Sequence, residues 1–132
     1  NLEINSKPVV RLLNVARFDF QKDQLSLLNA LSEIETDNNW HLDFVGDGPL
    51  IQKYKAISCD LNIDKNVTFH GYISNTLKFY QEADIFVLMS HWEGFPRSTV
   101  EALRSSLPVI VSNVGGSSEA VIDNINGFVI PE

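Results

Sequence analysis

The sequence predicts an α/β fold, a doubly wound parallel sheet with helices on both faces. Six short apolar runs, bounded by Gly, Pro or Asn, alternate with segments whose apolar residues recur at helical spacing. Repeats of this kind, joined by short connections, pair in parallel with right-handed crossovers. At 132 residues the chain has the length of one domain. We therefore expect a single domain, residues 1–132, with a Rossmann-like six-stranded sheet in the order 3-2-1-4-5-6.

The elements follow from the hydrophobic pattern taken in order. Strands are predicted at residues 8–16, 40–45, 66–71, 83–89, 107–113 and 128–130. Helices are predicted over 25–34, 50–57 and 117–122, with two more starting near Leu77 and near Pro96. The run 83–89 is continuously apolar, which is typical of a strand buried on both faces of a parallel sheet.

Charge and cysteine content restrict the class of protein. The formal net charge of −7 argues against a nucleic-acid partner, because phosphate contacts along a nucleic acid need a basic face. A local pair of cations is still enough for a nucleotide. The single cysteine, Cys59, cannot form an internal disulfide, and the sequence shows neither a signal peptide nor an apolar stretch of membrane-spanning length. We therefore expect a cytoplasmic protein.

The loop after the fourth strand is the main candidate for a ligand site. In open α/β sheets ligands bind beyond the carboxyl ends of the strands, where the next helix offers unpaired N–H groups to an anion. The candidate anion ligands are Gly94, Phe95, Pro96, Arg97 and Ser98, mainly through backbone N–H groups. Two carboxylates, Glu93 and Glu101, flank this segment and are suited to accept hydrogen bonds from sugar hydroxyls, one from a sugar and one from a ribose.

Two cations follow the first strand, at the same predicted edge of the sheet. They are Arg17 and Lys22, in the loop before the first helix. The order 3-2-1-4-5-6 places strands 1 and 4 side by side at the point where the strand order reverses. Arg17, Lys22 and Glu93 are therefore expected to face one crevice.

The segment from Glu93 to Glu101, followed by the run 107–112 and by Gly115-Gly116, resembles the E-x7-E region of retaining GT-B glycosyltransferases of family 4 (glycosyl transferases group 1). The likeness extends over nearly the whole chain. It implies the C-terminal, donor-binding domain of an enzyme whose N-terminal domain binds the acceptor and is not encoded here. The domain alone is then expected to be inactive.

The resemblance also implies an activity. Such an enzyme transfers a hexosyl or N-acetylhexosaminyl group from a nucleotide sugar, with UDP-sugars favoured, to a glycan or lipid-linked acceptor. Surface polysaccharide or lipopolysaccharide O-antigen synthesis is the expected setting, with peripheral association of the full enzyme at the inner face of the plasma membrane. No carboxylate cluster or Asp-x-Asp pair is present in the sequence, so no metal is required.

The family's residue roles carry over to matching positions. Arg17 and Lys22 would hold the donor's diphosphate, Glu93 the donor sugar and Glu101 the ribose. The segment after the third strand would form the wall of the base site, with Tyr72 and Ile73 as candidates and Lys78 as a weaker one.

Several alternatives stay open from the residues alone. Ser98 to Glu101 is also a capping-box pattern, in which Ser98 caps a helix starting at Thr99 and Glu101 binds backbone instead of ribose. The turn 46–49, Gly-Asp-Gly-Pro, either lets backbone approach the donor or is simply a tight turn. Arg17 and Lys22 could be a solvated surface pair.

Other functions remain as alternatives to transfer from a UDP-sugar. They are a non-enzymatic nucleotide-sugar-binding module and a donor of the GDP-mannose type. A dinucleotide-dependent oxidoreductase is disfavoured because the loop 17–22 replaces the Gly-rich fingerprint after strand 1. A phosphoacceptor signalling domain would need acidic residues where Arg17 stands.

Overall fold

The computed structural model describes residues 8–34 and 39–131, in which strands and helices alternate along the chain. The amino-terminal boundary of the predicted domain and Glu132 lie outside these residues. The strands are β1 (Val10–Val15), β2 (Trp40–Val45), β3 (Val67–Phe69), β4 (Ile85–Leu88), β5 (Val109–Ser112) and β6 (Gly127–Ile130). The helices are α1 (Gln24–Ser32), α2 (Ile51–Asp60), α3 (Leu77–Glu82), α4 (Arg97–Arg104) and α5 (Ser117–Ala120). Two short 3₁₀ turns lie at Phe20–Lys22 and Asp64–Asn66.

The six strands form one sheet in the order β3-β2-β1-β4-β5-β6, and every pair is parallel. The predicted fold class and strand order are therefore confirmed. Helices cover both faces, because successive strand side chains point in opposite directions. Leu12 packs in the core with α1 and α2, whereas Leu13 packs in the core with α3 and α4. All six strands consequently end at one common edge with their loops.

The centre of the sheet is its most weakly paired position. β1 pairs with β2 at six positions, from Val10↔Trp40 to Val15↔Val45. It pairs with β4 at only two, Leu12↔Ile85 and Leu13↔Phe86. Beyond them, the fully buried Asn14 donates from Nδ2 to the Val87 carbonyl at 2.8 Å. A side-chain amide therefore replaces backbone pairing where the two halves of the sheet diverge.

Some element ends differ from the predicted ones, for local reasons. β5 begins at Val109 because Pro108 has no N–H to donate within a strand. α1 ends at Ser32, so Ile34 lies outside the helix and is 43% exposed. α5 ends at Ala120, which leaves Val121 and Ile122 in the following turn.

A polar cluster is built into the sheet around Asp43 of β2. Its carboxylate accepts from His70 Nε2 at 2.7 Å and from Arg11 at 2.9 Å, and His41 Nε2 lies 3.7 Å away. Burial alone would raise the pKa of Asp43, but the hydrogen bonds from His70 and Arg11 outweigh it and lower the pKa below 3.8. His70 is thus a hydrogen-bonded residue of this structural cluster.

We expect Asp43→Asn to reduce the acid sensitivity of folding. Because the pKa of Asp43 is lower in the folded state, its carboxylate stabilises the fold above about pH 4, and this contribution disappears as the pH falls through the folded-state value. At pH 7 the loss should be about 2 kcal/mol, below that of a fully buried pair, since solvent screens the 44%-exposed Arg11 side chain. Urea unfolding between pH 7 and pH 3 measures both effects.

Asp60→Asn, which alters an exposed carboxylate at the end of α2, is the control and should keep the wild-type pH dependence. An equal loss of stability on acidification in Asp43→Asn and in the wild type would contradict the assignment.

Candidate functional site

Lys22 and Glu93 meet at the carboxyl edge of the sheet. Lys22 Nζ lies 2.6 Å from Glu93 Oε1, and the two side chains are 20% and 3% exposed. Ser90 Oγ donates to the same oxygen at 2.7 Å. Glu93 Oε2 takes part in neither contact. The predicted convergence of the β1 and β4 loops is thus seen directly for these two residues.

Backbone contacts fasten the same two loops together. His91 N–H donates to the Gln21 carbonyl at 2.9 Å, and Gln21 Nε2 donates to the Trp92 carbonyl at 2.9 Å. On the other side, Ser112 Oγ bonds both the N–H and the carbonyl of Ser90, at 2.6 and 2.8 Å. The position of Glu93 is therefore fixed by β1, β4 and β5 together.

The Gly115-Gly116 turn packs directly on the Glu93 loop. A Cβ on Gly115 would overlap the Glu93 carbonyl oxygen, and one on Gly116 would overlap that of Gly94. Gly115 also has φ +47°, in the left-handed region that favours glycine. By contrast, a Cβ on Gly94 would meet no atom within 4 Å. Gly115 and Gly116 are thus needed for this close approach of two loops, whereas Gly94 faces open space.

Arg17 lies in a cleft between the ends of β1 and β2. The cleft has a volume of about 820 Å³, and its lining residues are Val15, Ala16, Arg17, Val45, Gly46, Asp47, Gly48, Pro49, Tyr72 and Ile73. Of these described residues Arg17 is the one cation. Its side chain is 66% exposed, with Nε 3.6 Å from Asp19 Oδ2, so most of its donors are free for a ligand. The structure places Arg17 at the same edge as Lys22 and Glu93, in this neighbouring cleft.

The base-site candidates Tyr72 and Ile73 both line this cleft, and Tyr72 is 77% exposed. Lys78 does not line it. Its ammonium lies on α3, 78% exposed, 3.7 Å from Glu82 of the same helix. The structure therefore separates the weaker base candidate from the two stronger ones.

The glycines of the 46–49 turn approach the chain's own backbone. A Cβ on Gly46 would overlap the Ala16 carbonyl oxygen, and one on Gly48 would overlap that of Phe18. Gly46 N–H also donates to the Gly71 carbonyl at 2.8 Å. These glycines thus allow the loops after β1, β2 and β3 to pack together into the cleft wall.

Glu101 is held by a tyrosine. Tyr80 of α3, 3% exposed, donates from its hydroxyl to Glu101 Oε2 at 3.0 Å. Burial raises the pKa of Tyr80, and the neighbouring Glu101 raises it further, so the phenol remains a donor at neutral pH. α4 begins at Arg97, after Pro96, and has no side-chain cap. The capping-box alternative is therefore wrong, since it required Ser98 as the cap and a start at Thr99.

The anion site predicted from backbone N–H groups is narrower than expected. Pro96 has no N–H, and the Arg97 N–H donates to the Phe95 carbonyl at 3.0 Å. Gly94, Phe95 and Ser98 thus remain as the candidate backbone donors of this segment. Phe95 is 73% exposed, which leaves its backbone close to solvent.

Three supporting residues were missed by sequence reasoning. Ser90 binds Glu93, Tyr80 binds Glu101, and the fully buried Gln24 donates to the Arg17 carbonyl at 2.9 Å. The sequence signal for Gln24 was a polar residue at the start of a helix whose next residues are mostly leucines.

A second cavity is as large as the cleft but unsuited to an anion. It has a volume of about 800 Å³ and lies against the sheet face beside α1, between Leu12, Leu31 and Val87. No charged side chain lines it within residues 8–34 and 39–131. The cleft with Arg17 is therefore the candidate site.

The described residues contain neither a metal-binding cluster nor a membrane-spanning helix. Within them, no group of three or more His, Cys, Asp or Glu side chains is arranged to hold a metal ion. No helix in this part of the chain is long and apolar enough to cross a membrane.

Comparison with known families identifies the chain. The family model for glycosyl transferases group 1 matches residues 3–132. The chain belongs to this family. The resemblance carried by Glu93 to Glu101 is thereby confirmed, and its relatives are glycosyltransferases.

Two curated relatives come from Escherichia coli. One is a UDP-Gal:alpha-D-GlcNAc-diphosphoundecaprenol alpha-1,3-galactosyltransferase, 35% identical over 121 residues, or 88% of this chain and 31% of the relative. The other, from strain K12, is a lipopolysaccharide 1,6-galactosyltransferase, 31% identical over 118 residues, or 86% of this chain and 32% of the relative. The chain thus spans about a third of the length of these relatives.

Solved structures agree with this match. The lipopolysaccharide outer core galactosyltransferase WaaB, in its apo form, superposes with a TM-score of 0.87 at 28% identity, covering 97% of this chain and 37% of WaaB. Anabaena HepE in complex with UDP gives a TM-score of 0.86 at 23% identity, covering 93% of this chain and 35% of HepE. The HepE match bears on the fold alone.

We expect Gly115→Ala to displace the Glu93 loop, because its Cβ would collide with a backbone carbonyl and its φ would be strained. The free energy of unfolding should fall by about 2 kcal/mol or more. Urea unfolding measures this, and the emission of Trp92, beside Glu93, should change as well.

Gly94→Ala is the matched control in the same loop pair, since open space surrounds Gly94. If both alanine variants were equally stable, the close packing of these loops would not be the reason for Gly115.

Proposed function

We propose that this chain is the donor domain of a glycosyltransferase, and that it binds a nucleotide diphosphate sugar for transfer with retention. The main support is the pairing of Lys22 with Glu93 next to the Arg17 cleft at the carboxyl edge of the sheet. A diphosphate needs cations, and a sugar needs hydrogen-bond acceptors. Both chemistries occur at this edge within a family of glycosyl transferases.

The cleft is proposed to hold the nucleotide. Tyr72 offers an exposed ring on which a base can stack, and Ile73 adds apolar wall. Arg17 is free to donate to the diphosphate, because its one ion-pair contact in the structure, with Asp19, is long. Phe95 and Ser98, at the start of α4, would add backbone N–H donors.

Lys22 is proposed to bind donor phosphate while it keeps Glu93. An ammonium group has three N–H donors, and the Glu93 contact needs only one. Glu93 Oε2 is then available to a hydroxyl of the donor sugar. In transfer, negative charge grows on the leaving diphosphate, and fixed cations at this place lower the barrier by several kcal/mol.

Glu101 is proposed as the ribose ligand through its second carboxylate oxygen. Tyr80 occupies Oε2 and so orients the group. Glu101 lines a shallow groove of about 360 Å³ together with residues 74–77, which follow directly on Tyr72 and Ile73 of the cleft. The chain therefore runs directly from the cleft to the groove that Glu101 lines.

The named activities of the curated relatives support the remaining features of the proposed function. The donor is a UDP-sugar, with a hexose or N-acetylhexosamine as the transferred group, and no metal takes part. The acceptor is a glycan or lipid-linked glycan bound mainly by a further N-terminal domain, so this domain alone is inactive. The setting is surface polysaccharide synthesis, in the cytoplasm or peripherally at the inner face of the plasma membrane; the free, exposed Cys59 suits a reducing compartment.

A non-enzymatic nucleotide-sugar-binding module is the second candidate. The observation that favours it is that Arg17, Tyr72 and Ile73 line one cleft, which suits nucleotide binding without chemistry. A GDP-mannose-type donor would fit the same diphosphate site. UDP-glucose, UDP-galactose and GDP-mannose titrated against the chain would separate the donors by affinity.

We expect Arg17→Ala to weaken UDP binding about 10-fold to 100-fold, as for the loss of a charge-assisted hydrogen bond. Calorimetric titration with UDP, without divalent metal, measures the Kd. Arg17 is a cleaner test than Lys22, because Lys22→Ala would also leave the buried Glu93 carboxylate unpaired.

Lys65→Ala removes an exposed cation just before β3, at the opposite edge of the sheet, and should leave the UDP Kd unchanged. If Arg17→Ala and Lys22→Ala both bound UDP like the wild type, the diphosphate site would be wrong.

We expect Glu93→Gln to weaken UDP-glucose or UDP-galactose binding about 3-fold to 10-fold more than UDP binding. Glutamine keeps an oxygen for Lys22 and Ser90 but loses the charge offered to the sugar hydroxyls. Parallel titrations of the three nucleotides give the ratio. An equal loss for all three would mean that Glu93 supports the loop and not the sugar.

A further inference from the structure

Aromatic rings stand exposed next to the buried ion pair. Phe20 is 66% exposed and Trp92 is 53% exposed, and each lies within two residues of Lys22 or Glu93 in sequence. The usual distribution is reversed here, with the charged side chains inside and the apolar rings in solvent. Phe20 and His91 stack with centroids 4.5 Å apart, and Phe20 lies 6.1 Å from Trp92. We call Phe20, His91 and Trp92 the aromatic patch.

The aromatic patch is presented by a fixed backbone. His91 N–H and the Trp92 carbonyl both bond to Gln21, which directly follows Phe20. The ring positions are thereby tied to the Lys22–Glu93 contact. A preorganised surface of this kind binds a ligand without the entropy cost of ordering its loops.

The rim of the aromatic patch is polar and acidic. Asp23 Oδ2 lies 3.7 Å from His91 Nε2, and Asp19 caps the 3₁₀ turn that contains Phe20. These two carboxylates, 17% (Asp23) and 27% (Asp19) exposed, disfavour a phosphate ligand here and favour neutral hydroxyl groups. A pyranose ring combines both needs, because its C–H face is apolar and slightly positive while its edge carries hydroxyls, and aromatic faces are slightly negative.

We propose that the aromatic patch binds a pyranose ring of the acceptor glycan. This inference rests on the proposed function, since an acceptor hydroxyl must reach the donor sugar and Trp92 immediately precedes Glu93. The donor domain then supplies an acceptor subsite of its own. A protein partner is less suited, because a stable protein interface covers about 800 Å² on each side, far more than three rings.

The probes are lactose and N,N′-diacetylchitobiose, with sorbitol as a polyol that has no ring. The chain has two tryptophans, the exposed Trp92 and the buried Trp40, so two indole N–H signals report separately in NMR. We expect at least one disaccharide to shift the Trp92 signal saturably, with Trp40 unchanged and sorbitol without effect.

Variants separate stacking from structure, with the Kd taken from ligand-observed NMR. Trp92→Leu should weaken the disaccharide at least about fivefold, whereas Trp92→Phe, which keeps a ring, should stay within about twofold of the wild type. Phe128→Ala removes an equally exposed ring, 53%, from β6 near the amino ends of the strands and is the matched control.

The inference is overturned if neither disaccharide shifts Trp92 more than sorbitol does, or if Trp92→Leu binds as tightly as Trp92→Phe. It is also overturned if the Trp92 signal follows protein concentration instead of sugar, which would indicate a protein contact. UDP titration of the wild type tests the donor site separately. Sugar binding without UDP binding would therefore reject the proposed function. UDP binding without sugar binding would reject only the acceptor subsite at the aromatic patch.

Discussion

The contact between Lys22 and Glu93 is the constraint on which the site depends. It joins loops that are 71 positions apart in sequence, and the Glu93 carboxylate is almost fully buried. A buried charge without a partner is costly, so the β4 loop is stable only where Lys22 and Ser90 can reach it. The ion pair thereby fixes the relative position of the β1 and β4 loops, which is what a ligand shared between them requires.

Glycine contacts between neighbouring loops complete this arrangement. The turn after β2 packs against the backbone after β1, and the turn after β5 packs against the backbone after β4. In each half of the sheet, an outer loop therefore supports an inner one. Arg17 and Glu93, the residues proposed to bind the donor, stand on the inner loops after β1 and β4 and are supported by the outer ones.

Much of this fold could be predicted from sequence, because it depends on local signals. Apolar runs mark all six strands, and the usual strand order of a six-stranded doubly wound sheet places β1 beside β4. The E-x7-E segment predicted the family together with its position after a buried strand and before Gly115-Gly116. The strand order and the strand ends predicted that Lys22 and Glu93 would face one crevice.

The features that the sequence did not predict depend on tertiary contacts or on chemistry within a turn. Glu101 binds Tyr80, which reads in the sequence as an ordinary core residue of α3, so this partner was not visible, although the predicted helix start near Pro96 was right. The sequence left two roles open for the glycines of the 46–49 turn, and their packing on Ala16 and Phe18 was not visible because these neighbours are distant in sequence. Pro96 is the exception. Because proline has no backbone N–H, the sequence alone could have excluded it from the predicted backbone donors of the anion site.

The short pairing between β1 and β4 has a mechanical meaning. Two ladder positions, the Asn14 amide and two hydrogen bonds between Arg11 and Asp84 join the two three-stranded halves, each of which is more extensively paired internally. Beyond the last paired position, the Lys22–Glu93 ion pair joins the two halves again at the carboxyl edge of the sheet. The ion pair thus strengthens the connection between the two halves of the sheet at the point where the pairing of β1 with β4 has ended.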